Sequence, residues 1–427
     1  MEKHPKGLYV LFATEMWERF GFYSMLALFT LYLRDPEQGF GMTKAEATTL
    51  YSNYLMFVYA SPMIGGWIAD RMLGFRRSVL VGGAIFMVGY YLLSIRDMTA
   101  VYAGLTCLVV GNGFFKPNVS AMVGNLYPTT SKLKDSAYNL FYLGINLGAF
   151  IAPLCMEFIK TRWGYGPGFA TAAAGMVISI VVLWTLARHT EAHDGSRPAP
   201  GAPAPVPQAI DQVPESTRIL ALIAVYFIVI VFWMVFHQNG STMTYWGNDN
   251  TDWNVSGTFS NAINPFWVLV LSIPVVRFWS MLRRKGKEPS IPTKMTIGMV
   301  LTALAFTVLA IAALVGEAAA PEGQPYAYKV SPAWLVGCYG VLTLGELMLS
   351  PMGLALISKV APYRLRGRMM GGWFLATATG NKLTQIGVFW DRWLHSTFWF
   401  VLAALALGMA LVVFTLRPRL QKAMPGC

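Results

Sequence analysis

Two carboxylates and a guanidinium, Glu15, Glu18 and Arg19, stand in the stretch EMWERFGFYSM, inside an apolar run from about Leu8 to Leu33. Helical spacing puts Glu15, Glu18, Arg19, Phe22 and Leu26 along one face, where acid can meet base and a cavity can be lined. Three charges at bilayer depth cost on the order of 8–10 kcal/mol unless they pair or face water. The chemistry open to them is proton transfer, because two acids against one base leave a carboxylate to titrate. The alternative is a buried structural ion pair. Two more charges stand close to helix-bending prolines: Lys116 immediately before Pro117 in GNGFFKPNVSAMVG, and Glu346 shortly before Pro351 in LGELMLSPMGLALISKVAP. Such interruptions at corresponding depth in two halves of a chain are the best sequence pointer to a transporter's binding site. For Lys116 the competing role is a lysine that snorkels to the interface, although it lies midway along its run.

The elements that position these groups are membrane spans. The chain of 427 residues is 55% hydrophobic and 13% charged, too apolar for a water-soluble globule of this size. Runs of spanning length fall near 8–33, 46–69, 78–95, 99–124, 137–158, 166–187, 219–238, 258–282, 295–315, 332–357, 369–389 and 395–416. The fold class expected is an all-α membrane protein of twelve transmembrane helices. A Pro/Ala-rich stretch, RPAPGAPAPVPQ, reads as a solvated linker over 189–217, dividing a six-helix bundle over 1–188 from another over 218–427. With the N-terminus inside, 23 Lys and Arg fall in cytoplasmic segments against seven outside, while Arg19, Lys116 and Lys382 lie within spans. The bias places both termini in the cytoplasm and the chain in the inner (plasma) membrane, lipid on all sides. It also makes the net charge of +12 a topology signal, so no nucleic-acid partner is expected. Four scattered cysteines fit neither a disulfide framework nor a metal site. The first run carries charges and lacks a small-residue cleavage site, so it is expected to stay in the mature protein.

Two six-helix halves joined by a cytoplasmic linker are the layout of the major facilitator superfamily, whose halves rock about a central site. The turn GGWIADRMLGFRR, which contains Asp70, resembles that superfamily's loop between the second and third helices. Five motifs then resemble the proton-dependent oligopeptide transporters: EMWERFGFY on the first helix, FFKPNVS on the fourth, FYLGINLGAFIAP on the fifth, GELMLSPMGLALISKVAP on the tenth and MMGGWFLATATGNKL on the eleventh. The resemblance implies the major facilitator fold and proton-coupled import of di- or tripeptides by alternating access, with protons as the coupling ion and no other cofactor or metal. It implies that Glu15, Glu18, Arg19 and Lys116 form the proton-coupling cluster, and that Tyr23, Tyr59, Lys116, Asn146, Trp233, Asn264, Glu346, Ser350 and Trp373 line the peptide site. An amine suits Glu346 with asparagine carbonyls beside it, and a carboxylate suits Lys116. For the tyrosines and tryptophans taken singly, packing against lipid or the interface is the common alternative.

The chain departs from the pattern in three places. Phe22 stands where tyrosine is usual, Leu26 where an arginine is common, and His237, in FWMVFHQNG, where an acid is common. Relatives pair that arginine with that acid, so losing both leaves no orphan charge. The loss removes a cation for the peptide carboxylate, and His237 either titrates between about pH 5 and 8 or stays a neutral histidine near the outer helix end. Relatives commonly carry two extra helices between the halves; the Pro/Ala linker replaces them here, and a single chain is expected to suffice for transport. The nearest alternative is a carrier on the same fold for an amino acid, nitrate or a peptide-like compound. A membrane-embedded enzyme is a remote one, because the five histidines form no HExxH-type motif.

Overall fold

The computed structural model describes residues 4–68, 72–127, 133–190, 212–349, 356–357, 360–362 and 365–424. Asp70, Ser350, Pro351 and the linker stretch 191–211 lie outside the described residues. Among the described residues twelve helices hold 17 to 30 residues each: α1 (Lys6–Arg34), α2 (Lys44–Ala60), α3 (Phe75–Leu93), α4 (Met98–Asn125), α5 (Lys134–Trp163), α6 (Tyr165–Thr185), α7 (Glu215–Phe236), α8 (Ile263–Arg284), α9 (Ile291–Ala319), α10 (Pro332–Leu349), α11 (Arg366–Leu383) and α12 (His395–Ala423). The all-helical class is borne out. Among the described residues, eight helical stretches are long and apolar enough to cross a membrane.

Two compact units arise. The first comprises Met1–Thr43, Phe57–Pro203 and Thr258–Pro265, and the second Lys44–Met56, Ala204–Gly257 and Phe266–Cys427. Helix pairing repeats with a shift of six. In the first unit α1 lies on α5 and α6, and α3 on α4 and α6; in the second α7 lies on α11 and α12, and α9 on α10 and α12. The two units thus share one set of helix pairings.

Within both units helices touch through glycine, since in lipid the association of helices rests on close packing rather than on release of water. A Cβ on Gly82 would come within 2.8 Å of the Gly111 carbonyl oxygen, and one on Gly298 within 2.9 Å of that of Gly345. Gly144 and Gly148, four apart on α5, bring it onto α1. A Cβ on Gly148 would overlap the Met16 carbonyl and lie 3.2 Å from the Arg19 Cβ. Gly148→Val should therefore force α5 off the charged turn of α1. Overpacking of this kind costs about 1–3 kcal/mol, and a lower melting temperature of the purified variant in detergent checks it.

Three helices end or break where local chemistry dictates. The span expected over 46–69 is interrupted at Ser61, just before Pro62, which has no N–H to continue the ladder, and resumes as Pro62–Ile68. α7 gives way to a 3₁₀ turn at His237–Gly240 and then Thr242–Asp249, so this helical stretch runs beyond the expected end at 238. α11 passes into a 3₁₀ stretch, Thr384–Phe389.

Between α8 and α9, Glu288 takes hydrogen bonds from Arg283 (2.6 Å) and Lys294 (2.7 Å). These bonds hold its carboxylate down at about 2. A depressed carboxylate contributes its full stability above the ordinary value of 4.5 and loses it as pH falls toward about 2. Glu288 is partly exposed, so the contribution is below about 1 kcal/mol. The melting temperature of Glu288→Gln should lie slightly below that of the unaltered chain at pH about 6 and converge with it by pH about 2.

Candidate transport site

In the first unit Glu15, Glu18 and Arg19 are 2%, 0% and 3% exposed on α1. Two bonds tie Arg19 to Glu18: Nε donates to Oε2, and Nη2 donates to Oε1 at 2.7 Å. Glu15 Oε1 lies 3.4 Å from Arg19 Nε, one turn away. Its second oxygen, Oε2, is buried with no hydrogen-bond partner. The guanidinium also lies over the Phe22 ring, 4.8 Å from its centroid. Neighbouring helices fix this turn: Ser179 on α6 donates to the Thr14 carbonyl at 2.7 Å, and Gly148 on α5 lies behind Arg19. The two acids are thus unequal. Glu18 spends both oxygens on the arginine, whereas Glu15 has room for a proton without breaking that pair.

Lys116, half-buried on α4, lies over the Tyr59 ring at 4.9 Å. Among the described residues it makes no ion pair, yet it is within electrostatic reach of Glu15, Glu18 and Arg19. Asn112, one turn before it, donates to the Val58 carbonyl at 2.6 Å and so secures α4 beside the residues that carry Tyr59. Asn146 donates to Tyr142 of its own helix at 2.9 Å, and Tyr23 packs edge-on to Phe22 at 5.4 Å. Asn264 clusters with this unit although it follows the linker in sequence. The structure therefore gathers Glu15, Glu18, Arg19, Lys116, Tyr23, Tyr59, Asn146 and Asn264 into one compact unit.

The second unit holds Trp233, His237, Glu346 and Trp373. The His237 ring is 4.9 Å from that of Trp233 and 5.6 Å from that of Phe236, and its backbone carbonyl accepts from Tyr51 at 3.3 Å. Trp233 and Trp373 ride on helices in close contact: a Cβ on Gly380 of α11 would come within 3.0 Å of the Trp233 Cβ, and Tyr226 of α7 donates to the Met369 carbonyl. Ser350 and Pro351 lie outside the described residues, and Pro117 stands within α4. Among the described residues no group of three or more metal-binding side chains occurs.

A model described as the POT family matches residues 76–202 and 199–388. The chain belongs to the POT family. It is 28% identical to the uncharacterized transporter YclF of Bacillus subtilis, over 99% of this chain and 96% of the relative. It is 30% identical to dipeptide and tripeptide permease A of Citrobacter koseri, over 89% and 83%. A crystal structure of a peptide transporter POT in complex with sulfate matches with a TM-score of 0.88 at 27% identity, over 99% and 96% of the two chains. A mutant form of peptide transporter POT in complex with alafosfalin matches with a TM-score of 0.87 at 28% identity. As a POT-family member the chain is a multi-pass membrane transporter rather than an enzyme.

One pairing in this POT-family chain escaped the sequence reading. Lys382 of α11 donates to Asn53, and Gln385 of the following 3₁₀ stretch to the Thr49 hydroxyl at 3.4 Å, both on the part of α2 that clusters with the second unit. Nearby Gln238 joins the Thr384 carbonyl (3.1 Å) to the Thr242 hydroxyl (2.8 Å), which satisfies the broken ends of α7 and α11. Lys382 stood out as a charge within a span. Its partner lies 329 residues away, and no periodicity links the two.

Proposed function

We propose that this POT-family chain imports di- and tripeptides by proton symport, with alternating access between two six-helix halves and both termini in the cytoplasm. The observation that carries the coupling is the Glu15 oxygen left without a partner beside a Glu18–Arg19 pair that is complete in itself. Glu15 takes the external proton. Its neutralisation releases Lys116 from the field of the acidic pair, and Lys116 then receives the peptide carboxylate while Glu346 receives the amine. Inward transfer of one positive charge yields about 2.3 kcal/mol per 100 mV and about 1.4 more per pH unit. That is ample for concentrative uptake. The tryptophans, Tyr23 and Tyr59 offer walls that ask little of the variable side chain, which suits a carrier of many peptides.

Uptake of labelled dialanine into proteoliposomes, with an inward proton gradient and negative-inside potential, tests the proposal. Accumulation that collapses with the gradient and is abolished by excess unlabelled peptide is expected. No uptake by a folded, reconstituted sample would overturn the peptide assignment. Leu26 and His237 then favour a carrier of an amino acid, nitrate or a peptide-like compound on the same fold, since they remove a cation suited to the peptide carboxylate.

A further inference from the structure

Among the eight stretches of the described residues apolar enough to cross a membrane, the one that contains α8 is the least buried. In this helical stretch, Gly257–Arg284, 11% of the most apolar segment is buried, against 33–56% for the other seven such stretches among the described residues. Phe266, Val270, Ile273, Val276 and Met281 are all exposed, by 42%, 45%, 60%, 65% and 44%. At 3.6 residues per turn Phe266, Val270 and Ile273 share one exposed stripe with Arg277 and Arg284, seven apart, while Val276 and Met281 flank it on either side. The stripe ends in a turn of fixed shape. Gly286, at φ +66°, donates its N–H to the Arg283 carbonyl, and Lys287 donates to that of Leu282 at 2.9 Å, which closes the helix end in a Schellman motif. This turn presents Arg284, Lys285 and Lys287 as exposed cations. Glu288, the acid of the turn, is occupied by Arg283 and Lys294. Among the described residues, Arg277, Arg284, Lys285 and Lys287 make no ion pair.

The geometry points to a binding site for an anionic phospholipid on α8. We propose that its acyl chains lie along Ile273 and Val276 and that its phosphate is held by Arg277 and Arg284, with Lys285 and Lys287 adding charge. From Ile273 to Arg284 the helix rises about 16 Å, about half the hydrocarbon core and so one leaflet. Sidedness alone needs only positive residues in the loop; it does not need four partnerless cations at the foot of the least buried of these stretches. A zwitterionic headgroup would leave that charge uncompensated, whereas an anionic one meets it. The end of α12 reinforces the field. Gln421 donates to Ser290 at 2.7 Å, which holds the exposed Arg419 and Lys422 next to the turn.

Lipid retention on the purified full chain, read by native mass spectrometry, tests the site independently of transport. Dioleoylphosphatidylglycerol should be retained over dioleoylphosphatidylcholine by at least about tenfold, given about fivefold per basic residue at an anionic surface. Raising salt from about 0.1 to about 0.5 M should cut the preference, since these cations are exposed. The combined variant Arg277→Gln, Arg284→Gln, Lys285→Gln, Lys287→Gln should bring the ratio near one. Removing two exposed cations elsewhere, by Lys329→Gln with Arg392→Gln, should leave it unchanged. An unchanged ratio in the fourfold variant, or an equal fall in the control, would overturn the assignment. If the fourfold variant does not purify, Arg277→Gln and Arg284→Gln are measured singly, and no fall in either has the same consequence.

Discussion

The Glu15→Gln variant is expected to exchange labelled dialanine in counterflow at near the unaltered rate, yet to accumulate none against a gradient. Glutamine preserves the shape of the side chain and leaves both bonds between Arg19 and Glu18 intact. It removes only the group that can carry a proton without disturbing that pair. Glu18→Gln should also uncouple transport, but with lower thermal stability, because Arg19 then loses a bidentate carboxylate in a buried place. Full gradient-driven accumulation by Glu15→Gln would remove Glu15 from the coupling scheme and return the role to Glu18.

Arg19→Gln should be the most damaging single change on α1. It leaves Glu15 and Glu18, both nearly fully buried, without the cation that balances them. Breaking a buried pair by removing one partner costs about 3–5 kcal/mol, mostly the penalty of the charge left behind. The purified variant should melt many degrees lower and aggregate in size-exclusion chromatography. Adding Glu18→Gln to Arg19→Gln removes the stranded charge together with its former partner and should recover a large part of the loss. A double variant no more stable than the single one would mean that the arginine acts through packing against Phe22 rather than through charge.

The asymmetry behind these two outcomes was not legible in the sequence. Spacing favours Glu15, four residues before Arg19, over the adjacent Glu18, whereas in the structure the adjacent acid takes both donors. The spans were legible because each is a run of apolar residues long enough to cross a bilayer. The breaks in α7 and α11 were harder to foresee. Each follows from a polar cluster, Gln238 with Thr242 and Thr384, whose members come from different helices and reveal nothing when read one helix at a time. The break at Ser61 coincides with Pro62, whereas Pro117 stands within an unbroken α4, so a proline alone does not fix where a span breaks.

The glycine contacts at Gly82 with Gly111 and at Gly298 with Gly345 bring backbone against backbone. When such helices part within a bilayer, lipid chains replace backbone, and no apolar surface enters water. The large positive heat-capacity change that bends the stability curve of a water-soluble protein arises from that wetting. Separation of these helices inside lipid should therefore have an enthalpy almost independent of temperature. The free energy of each unit would then fall along a nearly straight line on heating, with no return toward instability in the cold.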